Sequence, residues 1–169
     1  TGTITDFCTS RGFPLGGLGT GGFSIFTDGG FGKFRTNHNW FKSIKQAEYP
    51  KGTFFAIWTK DDKNIYSKIL RRKFHDGHEY SNTSSIHHTH FQGKIPQFTL
   101  NYEDKYIPIN LKLSGFTSLI PHNVKDSSLP IAFFEMECDN PNPHPVQCSV
   151  LFSFENILGI GGSGGRAIM

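Results

Sequence analysis

A glycine-rich loop near the start of the sequence has the spacing that dinucleotide-binding proteins use. Residues Gly17 to Gly22 satisfy the pattern G-x-G-x-x-G, whose backbone N–H groups receive a pyrophosphate when a strand precedes the loop and a helix follows it. Here residues 23–30 read FSIFTDGG, which favours a strand broken by glycines. No acidic residue lies at the ribose-binding distance of about 20 positions. We therefore interpret the glycines as a structural turn into the first strand, and we expect alanine at Gly19 to damage folding or domain docking.

Five of the eight histidines lie between His75 and His90. If the end of this segment is extended, His88 and His90 share one face of a strand and could both reach one metal ion. No cysteine lies nearby, although Asp76 or Glu79 could add a ligand, and the Ser, Thr and Asn content is typical of an exposed loop. Solvated loop histidines are the default interpretation, with a metal site as the alternative, and we expect no metal.

Two glutamates on one predicted strand have a separation close to that of a glycosidase pair. Glu135 and Glu137 alternate with apolar residues, so the strand rise places them about 6.5–7 Å apart on one face, near the range of inverting enzymes. Neighbouring acids on the outward side of a strand are more typical of a solvated face, and we interpret them so. The sequence has no G-x-S-x-G nucleophile motif and, residue by residue, no convincing catalytic group.

An odd number of cysteines, without a C-x-x-C pair, indicates neither a disulfide framework nor a zinc knuckle. The three are Cys8, Cys138 and Cys148, and this usage fits a reducing compartment. Cys138 and Cys148 flank a predicted hairpin and could pair across it, although free buried thiols are the default.

The composition favours a single all-β domain. The 169 residues include 17 Phe, 19 Gly and 9 Pro but only 2 Met, a usage that favours strands and turns over helices. The net charge of +3 comes from scattered basic residues, which excludes a nucleic-acid footprint. No apolar run approaches the roughly 20 residues of a membrane helix, and the N-terminus lacks a secretion signal. We therefore expect a cytoplasmic protein with no transmembrane segment.

Alternating apolar residues predict antiparallel strands that bury one face. Val146, Cys148, Val150, Phe152 and Phe154 occupy every second position and are expected to share a face in the core. The same alternation predicts strands around 109–114 and 132–138. Residues 139–145 read DNPNPHP, and these prolines and turn formers predict a hairpin between the last two strands. Further strands are expected at Gly22 to Thr27, Phe31 to Thr36, Thr53 to Lys60, Ile65 to Arg71 and Gln97 to Tyr102, which together suit an antiparallel two-sheet β-sandwich.

Three stretches of the sequence carry specific motifs. Residues 11–22 read RGFPLGGLGTGG, residues 115–132 read GFTSLIPHNVKDSSLPIA, and residues 152–156 read FSFEN. They resemble, in order, the motifs (I/F)-P-L-G-G-(I/L)-G-T-G, F-S-P-(L/F)-I-P-x-(N/D)-x-K-D-S-(S/A)-L-P-(V/I)-A and F-S-W-E-N of the non-lysosomal glucosylceramidase, or bile-acid β-glucosidase, family (glycoside hydrolase family 116). The resemblance spans nearly the whole chain, and the long middle motif is too specific to arise by chance.

The resemblance implies a fold and an activity larger than this chain. Members of the family have an N-terminal β-sandwich and a C-terminal (α/α)6 barrel, and they hydrolyse β-glucosides with retention, using a Glu and an Asp of the barrel. No segment here resembles that barrel, so no catalytic residue is carried over, and we expect no cofactor. The chain resembles roughly the first half of the family's sandwich. The expected partner is therefore a downstream polypeptide that completes the sandwich and supplies the barrel for a β-glucoside substrate.

The resemblance also suggests which residues approach that substrate. Residues 34–41 read FRTNHNWF where the family has L-R-D-W-E-I-F-N, and they depart from it beyond Arg35. From this we predict that Arg35, His38 and Trp40 face the substrate, packing against the barrel being the simpler alternative. Spacing at 40–47 predicts a short helix or structured loop.

The chain divides in this interpretation into a domain and a tail. We expect residues 1–158 to form the partial β-sandwich and the glycine-rich residues 159–169 to form a flexible tail. The chain is then a non-catalytic part of a retaining β-glucosidase that supports the catalytic barrel. The alternative is a free-standing carbohydrate-binding or interaction module, which the strands and aromatic residues also allow.

Overall fold

The computed structural model describes residues 12–35, 50, 52–72 and 84–156. Apolar alternation accounts for most of its strands: β8, for example, has the sequence QFTLNYE and buries Phe98, Leu100 and Tyr102. The elements are β1 (Phe13–Gly16), β2 (Gly22–Ile25), β3 (Phe31–Arg35), β4 (Phe54–Lys60), β5 (Ile65–Arg72), β6 (Ser84–Ile86), β7 (His88–Lys94), β8 (Gln97–Glu103), β9 (Asn110–Thr117), α1 (Val124–Ser127), β10 (Ala132–Asp139) and β11 (Gln147–Ser153).

The strands form three sheets. Two of them have four strands, in the orders β11-β4-β5-β6 and β10-β9-β8-β7, and the third has the order β1-β2-β3. Strand pairing is antiparallel except between β5 and β6, which run parallel. The all-β antiparallel prediction is confirmed, while the third sheet and the parallel pair are features that the sequence did not indicate.

The core lies between the two four-stranded sheets and is closed by aromatic rings of the third. Phe31 of β3 lies with its ring centroid 5.8 Å from Phe55 on one sheet and 5.8 Å from Phe134 on the other. Leu100 and Leu113 are fully buried beneath them. The short β1-β2-β3 sheet is therefore held in place by the burial of its own aromatic residues.

The connection between β10 and β11 is not the hairpin that the sequence predicts. β10 pairs with β9 in one sheet, whereas β11 pairs with β4 in the other, so residues 140–146 cross between the layers. Side-chain bonds shape the crossing: Asn142 donates to the Pro108 carbonyl at 2.5 Å, and Asn140 donates to the His144 carbonyl at 2.9 Å. Prolines are compatible with either connection, because neither needs their missing ladder hydrogen bonds.

The apolar face of β11 is less buried than its alternation predicts. Phe152 points inward, with its ring centroid 4.6 Å from that of Phe55, yet it is 47% exposed, and Val150 and Phe154 are also exposed. The physical reason is position, because β11 and β10 are the edge strands on one side of the sandwich. The face is directed into the core at a side of the sandwich that no described strand covers, which we call the open side.

Two buried ion pairs fix loops onto β5. Asp28, in the turn between β2 and β3, accepts a hydrogen bond from the Arg71 guanidinium at 3.1 Å. Lys68 donates to Asp104 at 2.8 Å, and these two side chains are 6% and 0% exposed. Buried charges of this kind are costly unless they are paired, so each pair specifies where its loop lies.

The predicted strand boundaries agree with the structure to within two residues for the five strands predicted between Gly22 and Tyr102, whereas the strand predicted around 109–114 extends to Thr117. β1, β6 and β7 were missed, because they are short or rich in polar residues and show no clear alternation. The helix or loop predicted at 40–47, and the tail predicted at 159–169, lie outside the described residues.

Candidate functional site

The glycine loop forms the turn of a β-hairpin. It joins β1 to β2, whose residues pair in register from Gly16 with Gly22 to Phe13 with Ile25, and the Gly17 N–H donates to the Gly21 carbonyl at 2.9 Å. Gly16 and Gly19 have φ angles of 115° and 76°, a region that favours glycine. Since a strand follows the loop, it does not present a helix N-terminus to a pyrophosphate. The structural interpretation of these glycines is confirmed.

The second motif folds into a compact turn between β9 and β10. We call its residues 118–131 the knob. Asn123 caps helix α1, because its side chain accepts a hydrogen bond from the Asp126 N–H at 3.1 Å and donates to the Asp126 carboxylate at 2.6 Å. The buried Ser127 hydroxyl accepts from the Ile120 N–H at 2.9 Å and donates to the Ile120 carbonyl at 3.1 Å. Asn123, Asp126 and Ser127 of the motif therefore form hydrogen bonds within the turn and stabilise it.

The two motifs, about one hundred residues apart in sequence, bind each other. The Leu18 N–H donates to the Ser127 carbonyl at 2.7 Å, and the Thr20 hydroxyl donates to the Ser128 carbonyl at 2.6 Å. A Cβ on Gly17 would lie 2.8 Å from the Leu129 carbonyl carbon. The loop therefore lies against the knob so closely that only glycine fits at this position.

Thr117 joins the motifs a second time, at the end of β9. Its hydroxyl accepts a hydrogen bond from the Gly16 N–H at 3.2 Å and contacts the Gly16 carbonyl and, at 3.2 Å, the Ile131 carbonyl. One side chain thus connects the first hairpin to both strands that flank the knob. Residue-by-residue reasoning did not single out Thr117 or Ser127; their membership of the 115–132 motif was the available signal.

A shallow groove of about 200 Å³ runs along the contact between the motifs. Leu18, Ile95 and Leu119 supply apolar side chains to it, and Lys33 and Arg35 supply basic ones. We call the exposed apolar residues of the two motifs the glycine-loop surface; they are Leu18, Leu119, Ile120, Val124, Leu129 and Ile131. An exposed apolar cluster beside basic groups is typical of a protein–protein contact rather than of a small catalytic pocket.

The structure locates one of the three predicted substrate-facing residues. Arg35 ends β3, is exposed, and borders the groove beside Lys33. His38 and Trp40 lie outside the described residues. The three therefore remain predictions.

Two of the described histidines contact neighbouring carboxylates. His87 Nδ1 lies 3.1 Å from the buried Asp104 carboxylate, and His90 Nε2 lies 3.0 Å from the Glu103 carboxylate. Among residues 12–35, 50, 52–72 and 84–156, no three His, Cys, Asp or Glu side chains are grouped to hold a metal ion. His75, at the start of the predicted cluster, lies outside these ranges.

The predicted carboxylate pair lies on the solvated face of β10, as we expected. Glu135 and Glu137 are both exposed, and the Glu137 carboxylate accepts a hydrogen bond from Lys112 on the neighbouring strand. This hydrogen bond and the negative charge of Glu137 raise the pKa of Lys112. Lys112 and Glu137 thus form a cross-strand ion pair on the outer surface. Glu135 and Glu137 do not face each other across a cleft.

The two described thiols are not buried. Cys138 and Cys148 are free and exposed, which corrects the expectation of buried thiols, because both lie on edge strands at the open side of the sandwich. In the described part of the chain, no helix is both long and apolar enough to cross a membrane.

The family comparison covers both motifs and the strands between them. The family model described as beta-glucosidase 2, glycosyl-hydrolase family 116 N-term, matches residues 12–167. This range begins at the glycine loop and includes every described strand. The chain therefore belongs to the glycosyl-hydrolase family 116, of which it contains N-terminal domain sequence.

Proposed function

We propose that this chain is the non-catalytic first part of the β-sandwich domain of a retaining β-glucosidase of the glucosylceramidase-like type, and that it supports an (α/α)6 catalytic barrel. The observation that carries this proposal is the contact between the two motifs. Ser127 and Thr117 act on the chain's own backbone, and the result is an exposed apolar surface. Side chains that stabilise an exposed apolar surface are better suited to the docking of another domain than to catalysis.

The carboxylates of the described residues support a non-catalytic role. Asp28 and Asp104 are paired with buried cations. Glu155, in the motif FSFEN, accepts a hydrogen bond from the Gly52 N–H at 2.9 Å and has its own N–H bonded to Thr53 Oγ1 at 3.1 Å. Each of these acids holds two segments of this domain together, whereas a glycosidase needs two acids facing one sugar across a cleft.

The open side of the sandwich supports completion by a downstream polypeptide. Among the described strands, β10 and β11 each have a neighbour on one side alone, and Phe152 is half exposed although it points inward. Such edges are sites of aggregation unless they are covered. Added strands beside β10 and β11 would bury the inward face of β11 that the sequence assigns to the core.

Arg35 is the described residue that we propose lies nearest the sugar pocket, with His38 and Trp40 following it in the chain. It is exposed at the groove, where a barrel docked on the glycine-loop surface would meet it. In the barrel-bearing polypeptide, Arg35→Ala should raise KM for an aryl β-glucoside more than it lowers kcat. An unchanged KM would assign Arg35 to domain packing or to solvent.

The proposed function is tested by hydrolysis of an aryl β-glucoside. The 169-residue chain alone should have no activity, and a polypeptide that continues through the barrel should be active. In the active polypeptide, Glu135→Gln and Glu137→Gln should leave kcat unchanged, because both side chains lie on the outer face. Hydrolysis by the chain alone, or loss of kcat in either variant, would contradict the proposal.

One observation favours a free-standing carbohydrate-binding module as the second candidate. Phe116 and Phe133 stack on the outer face of β9 and β10 with ring centroids 4.9 Å apart, and both are 47% exposed. Flat exposed aromatic rings are suited to stacking on sugars. Calorimetry with glucosides and oligosaccharides separates the candidates: binding by the stable chain alone, lost in Phe133→Ala, would favour the module.

A further inference from the structure

Two thiols from different sheets meet at the open side of the sandwich. Cys138 lies near the end of β10, where it pairs across the strands with Leu111, a core residue. Cys148 lies near the start of β11, where it pairs with Thr59, which is also buried. Because cross-strand partners point to the same face of a sheet, both thiols are directed into the space between the two layers.

The same geometry brings the sulfur atoms together. The Cys148 thiol lies close enough to Cys138 to act on its pKa, and both residues are free and exposed. Partial burial and the neighbouring thiol raise the pKa of Cys138. The segment 140–146 crosses between the layers beside them. The pair is therefore positioned by two paired edge strands rather than by a hairpin of one sheet.

We propose that Cys138 and Cys148 form a disulfide that links the edges of the two sheets when the protein meets a low-molecular-weight disulfide such as oxidised glutathione. One protein thiolate attacks a glutathione sulfur, breaking that S–S bond and releasing one glutathione thiolate. The second protein thiolate then attacks the mixed disulfide and releases the second glutathione. Two protein thiols are oxidised, and one glutathione disulfide is reduced to two thiols.

The cross-link would act as a clasp on the open side of the sandwich. It would tie β10 to β11 next to the crossing segment, at strands that have no neighbour on their outer side among the described strands. The loop it closes runs only from residue 138 to residue 148. The clasp is thus a modification site that is separate from the glycine-loop surface and from any chemistry on a sugar.

The test uses the 169-residue chain, oxidised glutathione and peptide mapping without reductant. Asp-N protease cuts between Cys138 and Asp139, so it separates the two cysteines into different peptides. We expect the peptide ending at Cys138 to be disulfide-linked to the peptide beginning at Asp139, and the number of free thiols to fall by two. Cys8→Ser is the matched control and should leave the yield of this linked pair unchanged.

The same chain in urea shows whether the fold, rather than the short loop, brings the thiols together. The equilibrium constant for the cross-link should be at least about tenfold higher in buffer than in urea, because the folded strands raise the effective concentration of one thiol at the other. Equal constants would overturn the proposal. Glutathione adducts on both peptides without a link between them, a link to Cys8, or unreacted thiols would overturn it as well.

Discussion

Three glycines of the loop offer a graded test of the contact between the motifs, because an added methyl group meets a different environment at each. At Gly17 a Cβ would lie 2.8 Å from the Leu129 carbonyl carbon, and the Ser128 carbonyl oxygen and the loop's own Thr20 hydroxyl are closer still. At Gly19 it would meet nothing within 4 Å, but the φ angle is 76°. At Gly21 its nearest contact is ordinary, 3.6 Å from the Arg35 carbonyl oxygen.

These environments predict three different costs in the free energy of unfolding. Gly17→Ala should cost about 2–6 kcal/mol, from overpacking of about 1–3 kcal/mol plus the two hydrogen bonds to the knob, worth about 0.5–1.5 kcal/mol each. Gly19→Ala should cost about 1–2 kcal/mol, because only its left-handed backbone is strained. Gly21→Ala should change stability by less than about 0.5 kcal/mol, because the added methyl group makes only ordinary van der Waals contacts.

The assay is hydrogen exchange at the Leu18 amide, which is bonded to the Ser127 carbonyl. A loss of 2 kcal/mol corresponds to roughly thirtyfold less protection, so Gly17→Ala should lose about thirtyfold or more and Gly21→Ala almost none. Circular dichroism of each variant confirms that the sheets persist. If Gly17→Ala kept the protection of Gly21→Ala, the loop would not lie against the knob, and the reasoning would be wrong.

Three other substitutions test single interactions. Thr117→Val should lower the free energy of unfolding by about 1–3 kcal/mol, because the first hairpin loses its hydroxyl partner. In a urea melt, Thr117→Ser should be as stable as the wild type. Equal stability of the Val and Ser variants would show that the hydroxyl does not stabilise the contact. Lys68→Met should cost at most about 3–5 kcal/mol, because buried Asp104 loses its ammonium partner but keeps His87 beside it, and a urea midpoint at the wild-type value would contradict this. Burial raises the pKa of Tyr102, so the folded state keeps a proton that the unfolded chain releases, and stability should be full below pH about 10 and fall above it. Tyr102→Phe removes a hydroxyl that has no hydrogen-bond partner in the described structure, and it should reduce the loss of stability at alkaline pH. An unchanged loss, or an equal reduction by Tyr66→Phe, would exclude Tyr102 as its source.

The sequence predicted well where local pattern determines structure. The strand Gln97–Glu103 alternates buried and less buried residues along its length, so its existence and its inward face follow from the period of two. The glycine loop was also predicted as a turn, because a strand-like run follows it. These features depend on neighbours within a few residues.

The sequence predicted poorly where the answer depends on strand partners. β10 and β11 are adjacent in the chain and both alternate, yet each pairs in a different sheet, a choice that local pattern does not encode. The exposure of Phe152 likewise depends on what lies beside the edge strand rather than on its own alternation. The meeting of Leu18 with Ser127 is a tertiary contact that periodicity could not reveal.

The central claim is that the glycine-loop surface holds the catalytic barrel. Leu18, on that surface, is 58% exposed, and Ile65, at the β4–β5 turn, is 60% exposed, so the two are matched as exposed apolar positions. They lie at opposite ends of the sandwich. Leu18 bonds to the knob, which precedes Ala132 at the start of β10. Ile65 pairs with Lys60, which also pairs with Gln147, next to Cys148 of the clasp.

The most direct measurement is therefore photo-cross-linking in the polypeptide that bears the barrel. A benzophenone amino acid replaces Leu18 in one sample and Ile65 in the other, and mass spectrometry maps the cross-linked peptides after irradiation. Docking of the barrel on the glycine-loop surface predicts links from position 18 to the barrel and none to it from position 65. Barrel links from position 65 alone, or from neither position, would contradict it.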